Sequence, residues 1–291
     1  MITHPEKVMF PEDGITKGEL AAYYELVASF IVPQVRGRPV TMERFPRGIG
    51  EKGFMQKNVA KGFPEWLERV EVPKKGGTVN YPLIMDDRSL MWVVNQNTIT
   101  PHVWTSRVPK LGHPDACVFD LDPSAQDDDV LRNAALGTRD LLAELGLPCF
   151  VKTSGSKGYH IVVPLDGKAD GDDVAGFAHA VARVMVQRDP GHLTLEFSKA
   201  DRGGRILVDV GRNRPGATFA APYAVRPKPG APISAPCTWE EVETGEAGPQ
   251  AFSLRGMADR IATVGDLWAG MQARGRSLKR PIEALRGLGL A

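Results

Sequence analysis

The chain has 291 residues, of which 42% are hydrophobic and 24% charged, with a formal net charge of +1 at pH 7. These values are ordinary for a soluble globular protein that buries a large core. No apolar run is long enough to span a membrane and no apolar leader precedes the first elements, so we expect a cytoplasmic protein. Three widely spaced cysteines, Cys117, Cys149 and Cys237, indicate neither a disulfide framework nor a zinc site.

The charge is unevenly distributed along the chain. Residues 36–61 and 199–228 are predominantly basic, whereas residues 111–146 are predominantly acidic. An acidic centre flanked by basic stretches suits a metal site that serves an anionic substrate. Solvated protein faces also produce charge runs, so this pattern favours a polyanionic partner without identifying it.

A loop and then a helix are predicted between residues 7 and 26. Thr16 precedes the apolar positions of the helix and Glu19 follows three residues later, which is the pattern of a capping box. Lys7 and Lys17 flank this helix start, where free backbone N–H groups favour a phosphate. The alternative is a pair of ordinary surface lysines.

A predicted strand over residues 38–45 leads into a glycine-punctuated loop, residues 48–58. The loop carries Lys52 and Lys57 around Phe54, a composition that holds a nucleic-acid backbone while an aromatic ring stacks on a base. It lacks the spacing of a phosphate-binding loop. A β-hairpin with Phe54 in the core is the alternative. Apolar elements over residues 79–83 and 89–98 come next.

Two candidate catalytic features follow in close succession. His102 lies in a polar cluster, although a lone histidine is more often a satisfied core residue than a catalytic one. Residues 117–119 then predict a buried strand that presents Asp120 and Asp122 on one side, roughly 7 Å apart. Two such carboxylates repel each other, and a cation between them would offset the repulsion. Mg²⁺ and Mn²⁺ prefer carboxylate oxygens as ligands. A strand that runs into an acidic turn is the alternative.

The segment from Ser154 to His160 joins predicted strands over residues 148–153 and 161–165. Its backbone N–H groups, its two serine hydroxyls and the ammonium of Lys157 can converge on phosphate oxygens. His160, predicted just before the second strand, would point into the same space. An ordinary glycine-rich hairpin is the alternative.

The remaining elements are predicted from apolar periodicity. Helices are expected over residues 129–145, 172–188, 239–242 and 264–271, and strands over residues 193–197 and 205–210. The last of these strands presents a third carboxylate, Asp209.

Taken in order, these motifs resemble the archaeo-eukaryotic primase superfamily, and specifically the polymerase domain of bacterial DNA ligase D in non-homologous end joining. Single motifs of this kind are weak, whereas seven in the family's order are specific. The matching segments are Lys7-Val-Met-Phe-Pro with Lys17, Gly53-Phe-Met-Gln-Lys57-Asn, Phe119-Asp-Leu-Asp-Pro, Thr153-Ser-Gly-Ser-Lys-Gly-Tyr-His160, Val208-Asp, Ala221-Pro-Tyr-Ala-Val-Arg226 and Thr238-Trp-Glu-Glu-Val.

The resemblance implies an α+β fold: a primase-polymerase fold with mixed and antiparallel sheets and an RRM-like catalytic half flanked by helices, in one domain over residues 1–291. It implies a template-dependent nucleotidyltransferase that fills gaps and extends ends with a preference for ribonucleotides, using two Mn²⁺ or Mg²⁺ ions. The implied partners are DNA with a 5′-phosphate at a gap or break, nucleoside triphosphates, Ku and a separate ATP-dependent DNA ligase. The implied location is the cytoplasm, at the nucleoid.

By the family's pattern the candidate side chains fall into three groups. The metal-binding and catalytic residues are Asp120, Asp122 and Asp209. The nucleotide-binding residues are Ser154, Ser156, Lys157, His160, Arg226 and His102. The DNA-binding residues are Lys7 and Lys17 for the 5′-phosphate, together with Lys52, Phe54 and Lys57.

The chain departs from the family's pattern in one respect. Many relatives carry two aromatics where this chain has Phe54-Met55, so template stacking is expected to rest on Phe54. The seven matching segments belong to the polymerase domain alone, so ligation and end trimming are expected to come from another polypeptide or a missing part of this one.

Two other classes of protein stay open at this point. The segment Phe119-Asp-Leu-Asp-Pro-Ser124 also resembles the first motif of haloacid-dehalogenase-like phosphatases, which would place it near the start of a domain. The third hypothesis is a non-catalytic module that binds 5′-phosphorylated DNA ends.

Overall fold

A computed structural model describes residues 2–287 of the chain. Its packing divides the chain into two compact units. The first contains residues 2–109, 218–235 and 252–266, and the second contains residues 110–217, 236–251 and 267–287. The single domain over residues 1–291 stays a prediction, and residues 1 and 288–291 lie outside the described residues.

The regular elements are named here in chain order. The helices are α1 (Lys17–Leu26), α2 (Ala28–Val35), α3 (Asp87–Asn95), α4 (Asp128–Glu144), α5 (Gly171–Arg188), α6 (Trp239–Thr244), α7 (Met257–Val264) and α8 (Lys279–Gly287). The strands are β1 (Val8–Phe10), β2 (Ile15–Thr16), β3 (Val40–Arg44), β4 (Phe54–Gln56), β5 (Arg69–Lys74), β6 (Gly77–Pro82), β7 (Thr98–Val103), β8 (Ala116–Pro123), β9 (Phe150–Thr153), β10 (Tyr159–Pro164), β11 (Leu193–Thr194), β12 (Ile206–Asp209), β13 (Phe219–Ala220), β14 (Ala224–Val225), β15 (Ile233–Ser234) and β16 (Pro236–Cys237). In the described part of the chain, no helix has the length and apolar character needed to cross a bilayer.

The first unit is organised on a four-stranded antiparallel sheet of order β13-β7-β3-β4. Helix α1 begins at the predicted capping box. The Glu19 N–H donates to Thr16 Oγ1 (3.2 Å), and the Thr16 N–H donates to Glu19 Oε2 (2.9 Å). These two bonds satisfy two backbone donors that a helix start otherwise leaves without partners, so the local sequence defines this element.

The second unit is organised on a six-stranded sheet of order β11-β12-β8-β10-β9-β16, antiparallel except for the β11–β12 pair. Helices α4 and α5 pack on this sheet. Buried positions of α4 recur at helical spacing, from Leu131 through Ala134 and Ala135 to Leu141 and Leu142, so one apolar stripe faces the core. This architecture confirms the predicted α+β class.

Three of the differences from the predicted elements have a clear local cause. His160 lies inside β10, because Tyr159 already pairs with neighbouring strands on both sides. The strand predicted over residues 193–197 ends at Thr194, whose hydroxyl accepts the Glu196 N–H in a local turn (3.1 Å). The helix predicted over residues 264–271 is wrong: Gly265 and Gly270 adopt positive φ angles of 65° and 68°, which interrupt a helix.

Gly158 supports a direct test of the packing between the Ser154–His160 loop and β8. An added Cβ at Gly158 would lie 1.7 Å from the Leu121 carbonyl oxygen. We expect Gly158→Ala to lower the free energy of unfolding by about 2 to 3 kcal/mol, because backbone must move to make room. Urea unfolding measures this change.

Gly137 is the matched control for this substitution. It is exposed inside α4, and an added Cβ would meet no atom within 4 Å. Gly137→Ala is therefore expected to raise the free energy of unfolding by about 0.5 to 1 kcal/mol. A Gly158→Ala protein as stable as Gly137→Ala would contradict the close approach to β8.

Candidate active site

Four polar side chains form a row across the sheet of the second unit, which we call the charged row: Lys152, His160, Asp120 and Asp209. The strand register pairs Lys152 with His160, His160 with Asp120, and Asp120 with Asp209. Directly opposed residues of antiparallel strands share a face, and Asp122 joins that face two residues after Asp120. Strand pairing therefore brings Asp209 beside the acid pair that the sequence predicts.

Asp120 is buried at the centre of the charged row. His160 Nε2 lies 3.4 Å from Asp120 Oδ1, and Arg212 Nε donates to Asp120 Oδ2 (3.1 Å). Burial alone would raise the pKa of Asp120, but the neighbouring His160 and Arg212 outweigh it and hold the pKa well below its ordinary value. Asp120 is therefore a carboxylate at neutral pH.

Arg212 also contacts the opposing acid, Asp209. Its Nη2 lies 3.4 Å from Asp209 Oδ2, while Asp209 Oδ1 accepts the Gly211 N–H (2.8 Å). Burial would lower the pKa of Arg212, but the charges of Asp120 and Asp209 outweigh it, so the pKa is raised. Like charges directly opposite each other destabilise a sheet, and one guanidinium here contacts both carboxylates and offsets part of their repulsion.

Asp122 has a separate arginine partner. Arg202 Nη1 donates to Asp122 Oδ2 (3.0 Å), and the same buried guanidinium donates to the Glu196 and Phe197 carbonyls. All three predicted acids therefore lie on one face, each with a cationic neighbour. Sequence reasoning missed both arginines.

Lys152 was also missed, although a lysine inside an apolar strand is a usable signal. Its side chain is fully buried, and Nζ lies 2.7 Å from His160 Nδ1. If Lys152 is charged, its ammonium group can only donate, which makes Nδ1 the acceptor and places the ring proton on Nε2. A charged Lys152 would therefore direct the N–H of His160 toward Asp120.

The charged row has the chemistry of a divalent-cation site. In residues 2–287, no three His, Cys, Asp or Glu side chains already converge as a metal cage. Carboxylate oxygens are nevertheless the donors that Mg²⁺ and Mn²⁺ prefer, and a cationic group, Arg212, lies between Asp120 and Asp209. The donor set fits such a cation, which Asp120, Asp122 and Asp209 would hold.

The Ser154–His160 loop is tied together by its own first serine. Ser154 Oγ accepts the N–H groups of Ser156 (3.1 Å) and Gly158 (3.0 Å), and the Ser154 N–H donates to the Gly158 carbonyl (2.8 Å). These amides, which the sequence analysis offered to a phosphate, are therefore used inside the loop. Gln250 holds the Ser156 carbonyl (2.6 Å), and Lys157 is exposed at the tip.

In the first unit, the predicted residues His102 and Arg226 both lie near Glu43. His102 Nε2 is 2.8 Å from Glu43 Oε2. Burial would raise the pKa of Glu43, but the hydrogen bond and charge of His102 and the charge of Arg226 lower it overall. Glu43 was not predicted, because its contact with His102 crosses from β3 to β7.

The two predicted phosphate-binding lysines also lie together in the first unit. Lys17 is only 2% exposed, and its Nζ donates to the Asn95 carbonyl (2.7 Å) and to Thr3 Oγ1 (3.2 Å). Burial lowers the pKa of Lys17, and the nearby charges of Lys7 and Arg44 lower it further. Lys17 is therefore not an ordinary surface lysine, and Arg44 is a third cation that the sequence analysis missed.

The predicted DNA-binding residues Lys52, Phe54 and Lys57 lie on or beside the β3–β4 hairpin of the first unit. Phe54 is 47% exposed, so the alternative that places its ring in the core is wrong. The Arg44 guanidinium lies 5.4 Å from the centre of this ring. Lys52 and Lys57 are exposed on either side of β4.

The chain is similar to known proteins over most of its length. The family model of the LigD primase-polymerase domain matches residues 16–268. The non-homologous end joining protein LigD of Mycolicibacterium smegmatis is 36% identical over 277 residues, 94% of this chain and 36% of that protein. LigD of Pseudomonas aeruginosa is 32% identical over 271 residues, 92% of this chain and 32% of that protein. The chain thus spans about a third of the length of these curated relatives.

A solved structure extends the likeness to the fold. The polymerase domain from Mycobacterium tuberculosis ligase D, in complex with DNA, aligns with a TM-score of 0.88 and 34% identity, covering 94% of this chain and 98% of that one. The chain belongs to the family of LigD primase-polymerase domains.

Family membership settles the class of protein. It confirms the predicted primase-polymerase fold, and domains of this family are nucleotidyltransferases that depend in general on divalent metal ions. The likeness of residues 119–124 to a phosphatase motif is not supported, because the family match extends far to both sides of that segment.

The tautomer of His160 is directly measurable. We expect two-bond ¹H–¹⁵N correlation spectra at neutral pH to show His160 protonated on Nε2, because Lys152 donates to Nδ1. His192 is an internal control with the opposite geometry, since its Nδ1 lies 2.8 Å from Asp189 Oδ1. Lys152→Met should produce a mixture of His160 tautomers, whereas an Nδ1-protonated His160 in the unaltered protein would contradict the assignment.

Proposed function

We propose that the chain is a template-dependent nucleotidyltransferase that fills gaps and extends DNA ends in bacterial non-homologous end joining. The observation that carries the proposal is the register of Asp120 against Asp209, with Asp122 on the same face, in a chain of the LigD primase-polymerase family. The printed names of the relatives describe non-homologous end joining proteins, and the similar solved structure is a complex with DNA.

The proposed reaction is attack of a primer 3′-hydroxyl on the α-phosphate of a nucleoside triphosphate, which forms a phosphodiester and releases pyrophosphate. Two divalent cations, Mn²⁺ or Mg²⁺, supply stabilisation of the attacking and leaving oxygens when bound. Asp120, Asp122 and Asp209 would hold them. Asp120 is suited to this role because its lowered pKa keeps it ionised throughout the neutral range.

Several groups are proposed to bind the incoming triphosphate. In the second unit, Lys157 contributes a charge and His160 an oriented Nε2–H, while Ser154 and Ser156 shape the loop between them. In the first unit, His102 and Arg226 lie near Glu43, and the family resemblance makes them candidate nucleotide-binding residues.

The DNA contacts are proposed in two groups of the first unit. Lys7, Lys17 and the nearby Arg44 suit a 5′-phosphate, because a phosphate would offset the mutual repulsion of these three cations. Lys52 and Lys57 suit a nucleic-acid backbone, and the exposed ring of Phe54 suits a base.

The proposal extends to the cellular setting. The substrates are DNA with a 5′-phosphate at a gap or break and nucleoside triphosphates. Ku and an ATP-dependent DNA ligase are the proposed protein partners, and the proposed location is the cytoplasm, at the nucleoid. Ligation is assigned to another polypeptide or to another part of a longer protein.

Primer extension on gapped DNA tests the reaction. We expect Asp120→Asn or Asp122→Asn to reduce nucleotide addition to background, because the cation ligands are lost. DNA affinity should change by less than about twofold, because the basic residues remain. Asp140→Asn, an exposed acid of α4, is the control and should retain activity. Full extension by Asp120→Asn at saturating Mn²⁺ would overturn the assignment.

End recognition is tested by binding to recessed DNA ends with and without a 5′-phosphate. The phosphorylated end should bind more tightly, and Lys7→Gln should weaken that preference by a few-fold, the scale of about 1 kcal/mol for one charged contact. The preference should also weaken with added salt. Lys75→Gln, an exposed lysine of the β5–β6 turn, is the control. Equal affinity for both ends at low salt would contradict the assignment of a 5′-phosphate site to Lys7 and Lys17.

The choice of sugar is tested by incorporation of ATP and dATP opposite a template thymine. One hydrogen bond to the 2′-hydroxyl gives about 0.5 to 1.5 kcal/mol, roughly a two- to tenfold ribonucleotide preference. Both sugars should therefore be incorporated in Mn²⁺. A ratio of ATP to dATP incorporation efficiency below one would contradict the proposed preference. A ratio above about a thousand would require buried polar groups that exclude deoxynucleotides.

A further inference from the structure

We propose that Arg212 is an internal counter-ion of the Asp120–Asp209 pair, which a divalent cation must displace to bind there. Arg212 would then set the concentration of cation that the site needs. This inference rests on the proposed cation site, and it concerns a residue outside the motifs that carry the family resemblance.

The first support is geometric. A single guanidinium reaches both carboxylates, with Nε 3.1 Å from Asp120 Oδ2 and Nη2 3.4 Å from Asp209 Oδ2. Asp120 and Asp209 would also hold the proposed cation, so Arg212 and the cation would compete for the same two carboxylates.

The second support is electrostatic. Asp120 and Asp209 are opposed on adjacent strands, so the pair carries two negative charges at short range that must be offset when no metal is bound. Arg212 supplies one positive charge and leaves the pair at about −1. A divalent cation that entered with the guanidinium still in place would meet a like charge within a few ångström, where Coulomb repulsion is strong.

The third support is that only the side chain has to move. The backbone beside Arg212 is anchored to β8 through Asn213: its Oδ1 accepts the Val118 N–H (2.8 Å) and its Nδ2 donates to the Val118 carbonyl (2.8 Å). The Arg212 side chain is 41% exposed, whereas that of Arg202 is 3% exposed. The guanidinium of Arg212 can therefore move into water without unfolding the turn that carries it.

Mn²⁺ binding to the protein without nucleotide or DNA tests the proposal, followed by electron paramagnetic resonance of the free ion. We expect Arg212→Gln to bind Mn²⁺ about tenfold more tightly than the unaltered chain, because the competing charge is gone. Arg214→Gln removes the same charge from an exposed position two residues away, and should leave the affinity within about twofold of the unaltered chain.

A thermal-shift measurement gives a second readout. Without metal, Arg212→Gln should melt at a lower temperature, because two opposed carboxylates lose their counter-ion. Added Mn²⁺ should then raise its melting temperature by more than it raises that of the unaltered chain, because a ligand that binds the folded state more tightly stabilises it more. If Arg212→Gln does not fold, Arg212→Lys replaces it, since a point charge cannot bridge both acids as the fork does and should also tighten Mn²⁺ binding.

The outcomes separate the two claims. Tighter Mn²⁺ binding by the Arg212 variant alone supports the counter-ion. Unchanged or weaker binding by that variant, when the unaltered chain binds Mn²⁺ and Asp120→Asn does not, overturns the counter-ion and leaves the cation site standing. Absence of Mn²⁺ binding that depends on Asp120, in both the unaltered chain and the Arg212 variant, overturns the cation site and the counter-ion together.

Discussion

The arrangement of the second unit depends on one electrostatic constraint: two carboxylates, Asp120 and Asp209, directly oppose each other on adjacent strands. Such a pair opposes folding unless cations lie close by. Arg212 supplies such a cation between the acids, and His160 Nε2 approaches Asp120 from the other side. Charge balance thus explains why these polar groups occupy one face of an otherwise apolar sheet.

The same constraint gives the site its proposed chemistry. Acids held close by a fixed strand register are preorganised for a divalent cation, so little rearrangement of the backbone is needed when one binds. The fully buried Lys152 extends the row, and in its charged form it would direct the Nε2–H of His160 toward the acids. A sheet that places both cation ligands and an oriented donor on one face suits transfer of a nucleotidyl group from a polyphosphate.

The local sequence predicted the elements and the acids, but it could not predict which residues contact each other between strands. The capping box at Thr16 and the carboxylate spacing of Asp120 and Asp122 depend on neighbours in the chain, and the structure has both. The pairing of Asp120 with Asp209 depends on register between distant strands, so Lys152, Arg212 and Glu43 could not be assigned as partners beforehand. The predicted helix over residues 264–271 failed because two left-handed glycines override an apolar run.

Anomalous diffraction from crystals soaked in Mn²⁺ and a non-hydrolysable nucleoside triphosphate tests the central claim most directly. The account predicts a strong anomalous peak within ligand distance, about 2.0 to 2.3 Å, of both Asp120 and Asp209, with the Arg212 guanidinium moved away from these oxygens. A saturating soak that leaves Arg212 between the two carboxylates, with no anomalous peak beside them, would contradict it.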